Sequence, residues 1–131
     1  QVHFYGACYN EEELGRIIAN SDLCVSPGEV GLTAIHTLSF GTPVCTHDDL
    51  RYQGPEAEAV IDRESGVLFD RSSSNIVGAV LKWFDSEPNR DSVRRACYRV
   101  VDQKWNTTNQ HRIIRAAIVA ATRASDADVP I

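Results

Sequence analysis

The chain has 131 residues, 43% of them hydrophobic, and a formal net charge of -5. That is apolar material for one compact domain, which at this size buries roughly two-thirds of its extended surface. The acidic balance argues against general binding to nucleic acid or to an anionic membrane, though not against a phosphate held locally, and no apolar run nears the roughly 18 residues that cross a bilayer.

In chain order, Val2 to Tyr5 is a β-prone run ending at Gly6. Asn10 with Glu13 three residues on forms a capping box, and Leu14, Ile17 and Ile18 then supply one face of a helix that ends near Asn20 and Ser21. Asp22 to Val25 reads as a second strand. Pro27 to Val44 follows as P-G-E-V-G-L-T-A-I-H-T-L-S-F-G-T-P-V: a glycine-containing turn, a helix with Val30, Leu32, Ile35 and Leu38 at helical spacing, a C-cap glycine at Gly41, and a strand from Pro43 to Thr46. His47 to Pro55 is polar and aperiodic, hence a loop, expected at the same sheet edge as the Pro27 turn, and holds His47, Asp48, Asp49, Arg51, Tyr52 and Gln53. Arg51 is its residue best suited to an anionic partner.

A short helix from Glu56 to Val60, a turn from Asp62 to Gly66 and a strand from Val67 to Phe69 come next. Ser72 to Ser74 cap a helix carrying Ile76, Val77, Val80, Leu81 and Phe84. Pro88 suits the first turn of another, with Val93, Ala96, Cys97, Val100, Val101 and Lys104. Thr107 or Thr108 caps a last helix with Ile113, Ile114, Ala117, Ile118 and Ala121 on one side, and the tail from Arg123 to Ile131 is polar enough to fray. The alternation of strands and helices predicts an α/β fold, a Rossmann-like parallel sheet with helices on both faces in three layers. One domain is expected, residues 1–106 forming its body and 107–131 its terminal helix and tail.

In such a sheet, a strand-to-helix turn lies at the carboxyl edge, where ligands bind, and free N–H groups at the helix start favour an anion. The glycine pair Gly28 and Gly31 forms no G-x-G-x-x-G or P-loop pattern, and no Lys follows it. Cys8, Cys24, Cys45 and Cys97 lack C-x-x-C spacing and are expected as reduced thiols, which suits a cytoplasmic protein. His3, His36, His47 and His111 have no metal-ligand spacing, so no metal is expected.

The stretch from Ser26 to Val44 resembles the segment P-S-x-x-E-G-F-G-L-x-x-L-E-A-x-x-x-G-T-P-V of retaining glycosyltransferases of the GT-B fold, agreeing at Pro27, Gly31, Leu32, Ile35 and Gly41 to Val44. Phe4-Tyr5-Gly6, Pro55-Glu56 and Gly66 to Phe69 are similar to further motifs of that family in the same order, and Trp105 to an aromatic before its last helix. The resemblance covers roughly residues 2 to 85. It departs at the family's E-x7-E pair, where this chain has Gly28 and His36.

The resemblance implies the second half of a GT-B C-terminal domain: the donor-binding fragment of a hexosyltransferase-type enzyme moving a sugar from a nucleotide sugar to an acceptor in polysaccharide or glycoconjugate synthesis. It implies donor contacts at Pro27, Gly28, Glu29, Val30, Gly31, Leu32, Thr33 and His36. The N–H groups of Val30 to Leu32 would meet the diphosphate, Glu29 the sugar and His36 the ribose; no residue is assigned to catalysis. It also implies no cofactor or metal, a separate acceptor domain before Gln1, and a full-length protein in the cytoplasm or at a membrane surface. The fragment alone is expected to be inactive. A non-catalytic nucleotide-sugar-binding module and a nucleotide-sugar epimerase of the same fold are the alternative readings.

Overall fold

Three short parallel strands organise the computed structural model, which describes residues 1–73 and 75–127, with side chains through residue 123. β1 (Cys24–Val25), β2 (Val44–His47) and β3 (Gly66–Phe69) lie in the order β1-β2-β3, with Val44 beside Cys24 and Gly66, and His47 beside Phe69. All four residues of β2 are buried, as a central strand covered on both faces demands. Val44 joins Val30, Ala34, Leu38, Ala59, Val60, Cys97 and Val100 in one cluster, whereas Cys45 joins Val67, Phe69 and Trp83 in another. The alternation of a single strand thus divides the core into two layers.

The described residues include five α-helices, α1 (Glu11–Ala19), α2 (Leu32–Ser39), α3 (Ile76–Asp85), α4 (Arg90–Gln103) and α5 (Thr107–Ala127). α2 packs against α4, and α3 against β3. Asn10 caps α1 by accepting the Glu13 N–H at 3.0 Å, but the reciprocal half of the expected capping box is missing because the Glu13 carboxylate takes the Tyr5 hydroxyl instead. α2 ends as its glycine predicts. Gly41 has φ of 76°, its N–H reaches the Leu38 carbonyl at 2.9 Å, and the Thr42 N–H reaches Thr37 at 3.2 Å, the paired bonds of a Schellman motif.

Several expectations are corrected. Val2 to Tyr5 is not a strand; Phe4 is 98% exposed, and a β-prone run becomes a strand only beside a neighbour that pairs its backbone, which no described residue does. The strand expected from Asp22 covers Cys24–Val25 alone, and Pro43 stands just outside β2, giving its carbonyl to the Cys24 N–H at 2.9 Å. α3 is capped by Asn75, which accepts from Gly78 at 3.0 Å, in place of Ser72 to Ser74; Ser74 itself lies outside the described residues. Pro88 precedes the Asn89 cap of α4, and Asn106, not Thr107 or Thr108, accepts the Asn109 N–H that opens α5.

Helical order in α5 persists beyond Arg123, to Ala127; the rest of the expected frayed tail lies outside the described residues. The apolar face of α5 is spaced as expected, yet Ile113, Ile114 and Ile118 are each at least half exposed.

Candidate functional site at the carboxyl edge of the sheet

Because all three strands run the same way, the segments that follow them emerge at one rim: the turn from Ser26 to Gly31, the connector from Asp48 to Gly54, and the turn that begins at Asp70. The expectation that the glycine turn and the 47 to 55 connector share an edge therefore holds. Hydrogen bonds fasten them. Gln53, half-buried, accepts the Val30 N–H on Oε1 at 2.9 Å and donates from Nε2 to Thr46 Oγ1 at 2.8 Å, to the His47 carbonyl at 3.1 Å and to the Gly28 carbonyl at 3.4 Å. Thr46 Oγ1 also reaches the Gly28 carbonyl at 3.3 Å. On the other side of the connector, the Asp48 carboxylate accepts the Arg71 N–H at 3.3 Å and the Asp48 N–H goes to Phe69 at 3.0 Å, which joins the third segment to the second.

At the turn itself, Gly31 has φ 47° and ψ -145°, a conformation open to glycine and strained for any other residue. This bend brings the chain into α2 with the amides of Gly31, Leu32 and Thr33 unpartnered among the described residues. Those three N–H groups stand at the positive end of the helix. Val30 differs from what the sequence suggests. Its N–H is occupied by Gln53 and its side chain is buried in the core, so it offers a ligand nothing directly.

Pro27, Gly28, Glu29, Leu32 and Thr33 are exposed at the rim. Glu29 leans toward Gly54, where an added Cβ would lie 3.4 Å from Glu29 Oε1 and 2.6 Å from Glu56 Oε2. Two carboxylates therefore reach over the same glycine. His36 turns elsewhere: its Nε2 lies 4.0 Å from Glu11 Oε2 and its ring centroid 5.4 Å from that of Phe40, which sets it between α2 and the start of α1.

The polar connector resolves into three different roles. His47 is 3% exposed, edge-on to Phe69, and its Nδ1 has no hydrogen-bond partner among the described residues; it closes the core and is not a loop residue. Asp49 receives Arg51 through both carboxylate oxygens at 2.9 Å, with Arg71 Nη1 at 3.8 Å. The Arg51 hydrogen bond, foremost, holds the Asp49 carboxyl below the usual carboxylate range. Arg51, the cation expected to meet an anion, is thus already engaged. The Arg71 guanidinium lies 3.8 Å above the Tyr52 ring, a stacked cation at the same rim. Gln53, Glu56, Tyr52 and Arg71 complete the rim, although only Glu56 carried a motif signal, through Pro55-Glu56.

Two cavities lie away from the glycine turn. One of about 900 Å³ runs along the outer edge of β3 between α3 and α4, and one of about 350 Å³ is lined by Asp22, Gly41, Pro43 and Trp83. Among the described residues, no group of three or more His, Cys, Asp or Glu side chains is placed to hold a metal ion, and no helix is long and apolar enough to cross a membrane. Fold and rim together define a parallel α/β unit in which the first amides of α2 stand open at the carboxyl edge of the sheet. Compared with models of known protein families the chain matches none, and no curated protein matches it.

Proposed function

We propose that the chain is the donor-binding portion of a glycosyltransferase, and that the start of α2 receives the diphosphate of a nucleotide sugar. The single observation that carries the reading is the set of unpartnered amides from Gly31 to Thr33, presented by a glycine-only bend at the edge where parallel sheets bind ligands. The resemblance of Ser26 to Val44 to the GT-B segment supports the same placement. In this reading the amides and helix dipole stabilise the charge that grows on the departing diphosphate, Glu29 and Glu56 approach the sugar hydroxyls as hydrogen-bond acceptors, and the stacked Tyr52 and Arg71 border the pocket that domain closure completes. His36, turned toward Glu11, is no longer assigned the ribose.

Calorimetric titration of the chain with UDP, GDP and ADP tests this. Binding with dissociation constants near millimolar, about -4 kcal/mol, that Gly31→Ala abolishes supports it; no heat from any of the three, or binding indifferent to Gly31→Ala, rejects it. A non-catalytic nucleotide-sugar-binding module is the second reading, favoured by Gly28 and His36 at the positions where the resembled family carries carboxylates. Release of nucleotide from a donor panel by the full-length protein separates the two.

A further inference from the structure

We infer that Gln53 is the positioning residue of the anion site, the group that sets the direction of the Gly31 to Thr33 amides without touching the ligand; this rests on the diphosphate reading above. One carboxamide makes most of the cross-connections, the Thr46 hydroxyl adding its own bond to the Gly28 carbonyl at 3.3 Å. Its Oε1 accepts the Val30 N–H across 23 positions of sequence, while its Nε2 faces three oxygens, those of Thr46, His47 and Gly28. The geometry dictates the amide's orientation: only oxygen can face the Val30 N–H, and only N–H can face the His47 and Gly28 carbonyls.

The bonds bracket the bend on both sides, since Gly28 precedes it and Val30 abuts Gly31. They anchor it to Thr46, which is fully buried in the central strand. Gly28 and Gly31 would otherwise leave the turn free to rotate, for a Cβ at either would meet nothing within 4 Å. Gln53 also answers the Val30 amide, which leaves Gly31, Leu32 and Thr33 as the amides offered to a ligand. The number of N–H groups presented, and their common direction, are therefore properties of a side chain on the neighbouring loop. A turn already held in the binding conformation loses less freedom when the anion arrives.

The substitution Gln53→Met keeps the side-chain length and removes every hydrogen bond, whereas Gln53→Glu keeps the acceptor for Val30 but sets a carboxylate against the His47 and Gly28 carbonyls. Ser65→Ala serves as the control for plain destabilisation, because the buried Ser65 hydroxyl bonds the Ala59 carbonyl and the Ile61 N–H away from the rim. The experiment is amide-resolved hydrogen exchange by NMR on the 131-residue chain, with titration of inorganic pyrophosphate. Expected for Gln53→Met is exchange at Val30 about tenfold faster and a pyrophosphate dissociation constant about tenfold higher. Gln53→Glu is expected to protect Val30 yet still weaken pyrophosphate, and Ser65→Ala to lower stability with affinity unchanged.

Unchanged Val30 exchange in Gln53→Met overturns the positioning role whatever pyrophosphate does. So does pyrophosphate affinity within about twofold of the parent once Val30 has loosened. A parent chain that ignores pyrophosphate while Gln53→Met still loosens Val30 rejects the anion reading and with it the ligand half of this inference, leaving Gln53 as organiser of the turn alone.

Discussion

Arg94 of α4 donates from Nη2 to the carbonyl of Ala19 at 2.7 Å and reaches the carbonyl of Phe40 at 3.5 Å. One guanidinium thereby meets the carboxyl ends of both α1 and α2, where a cation complements the helix dipole. Arg94→Ala is expected to reduce unfolding free energy by about 2 kcal/mol, since a charged hydrogen bond is lost and two helix ends are released. Urea unfolding followed by circular dichroism measures it, and a loss near zero would show the clamp to be incidental.

The two glycines of the rim turn are expected to respond in opposite ways. A Cβ at Gly31 would meet nothing within 4 Å, so the penalty of Gly31→Ala comes from its backbone conformation alone, about 1–3 kcal/mol. Gly28 has neither positive φ nor a close neighbour, and Gly28→Ala is expected to be neutral or stabilising by up to about 1 kcal/mol. Thermal melts of the two variants side by side check the contrast.

Gly66, at the start of β3, has no positive φ, yet an added Cβ would sit 2.1 Å from the Val44 carbonyl oxygen. The obstacle is backbone in the central strand, which cannot swing aside. Gly66→Ala should destabilise by about 3 kcal/mol or more by forcing β2 and β3 apart. A melting temperature equal to the parent's would contradict the pairing register.

Cys97, on the core face of α4, is fully buried, and desolvation pushes its thiol up to about 12 from an ordinary value near 9. The folded state thus keeps the proton that the unfolded state releases. The stability this contributes is complete below pH 9 and is lost as pH rises toward 12. A thiol-specific reagent at pH 8 should leave Cys97 unmodified in the native chain and react with it in denaturant, read by mass spectrometry. Modification of native Cys97 at the rate seen in denaturant would place it nearer the surface.

Truncation after Asn106 removes α5, whose apolar face is at least half exposed at Ile113, Ile114 and Ile118. Since that face has little to lose, residues 1–106 should keep their stability to within about 0.5 kcal/mol, a size typical of surface changes. Matched urea curves for the two lengths decide this.

The legible part of the fold was local. Helical spacing placed α1 to α4, and Gly41 ended α2 because only the left-handed conformation closes that helix. Caps slipped by a residue or more: Asn75, just past the expected Ser72 to Ser74, accepts the Gly78 amide. Val2 to Tyr5 has strand composition, but composition cannot supply a partner strand. Within the site, the turn and the connector were placed on one rim by topology alone, since parallel strands send their following loops to the same edge. The charges within that rim were not legible, for Arg51 reads as a free cation until both oxygens of Asp49 are seen to hold the Nε and Nη2 edge of its guanidinium.

By itself the sequence determined the α/β alternation, the glycine bend ahead of α2 and the C-terminal stop at Gly41, because each depends on neighbours within a few positions along the chain. Only the tertiary structure decided which amides remain open, that Arg71 joins Asp49 and which way His36 turns. Those outcomes depend on Gln53 reaching Val30, Arg71 reaching Asp49 and Glu11 approaching His36, pairs separated by more than 20 positions, whose meeting is set by the packing of strands and helices and by no local preference.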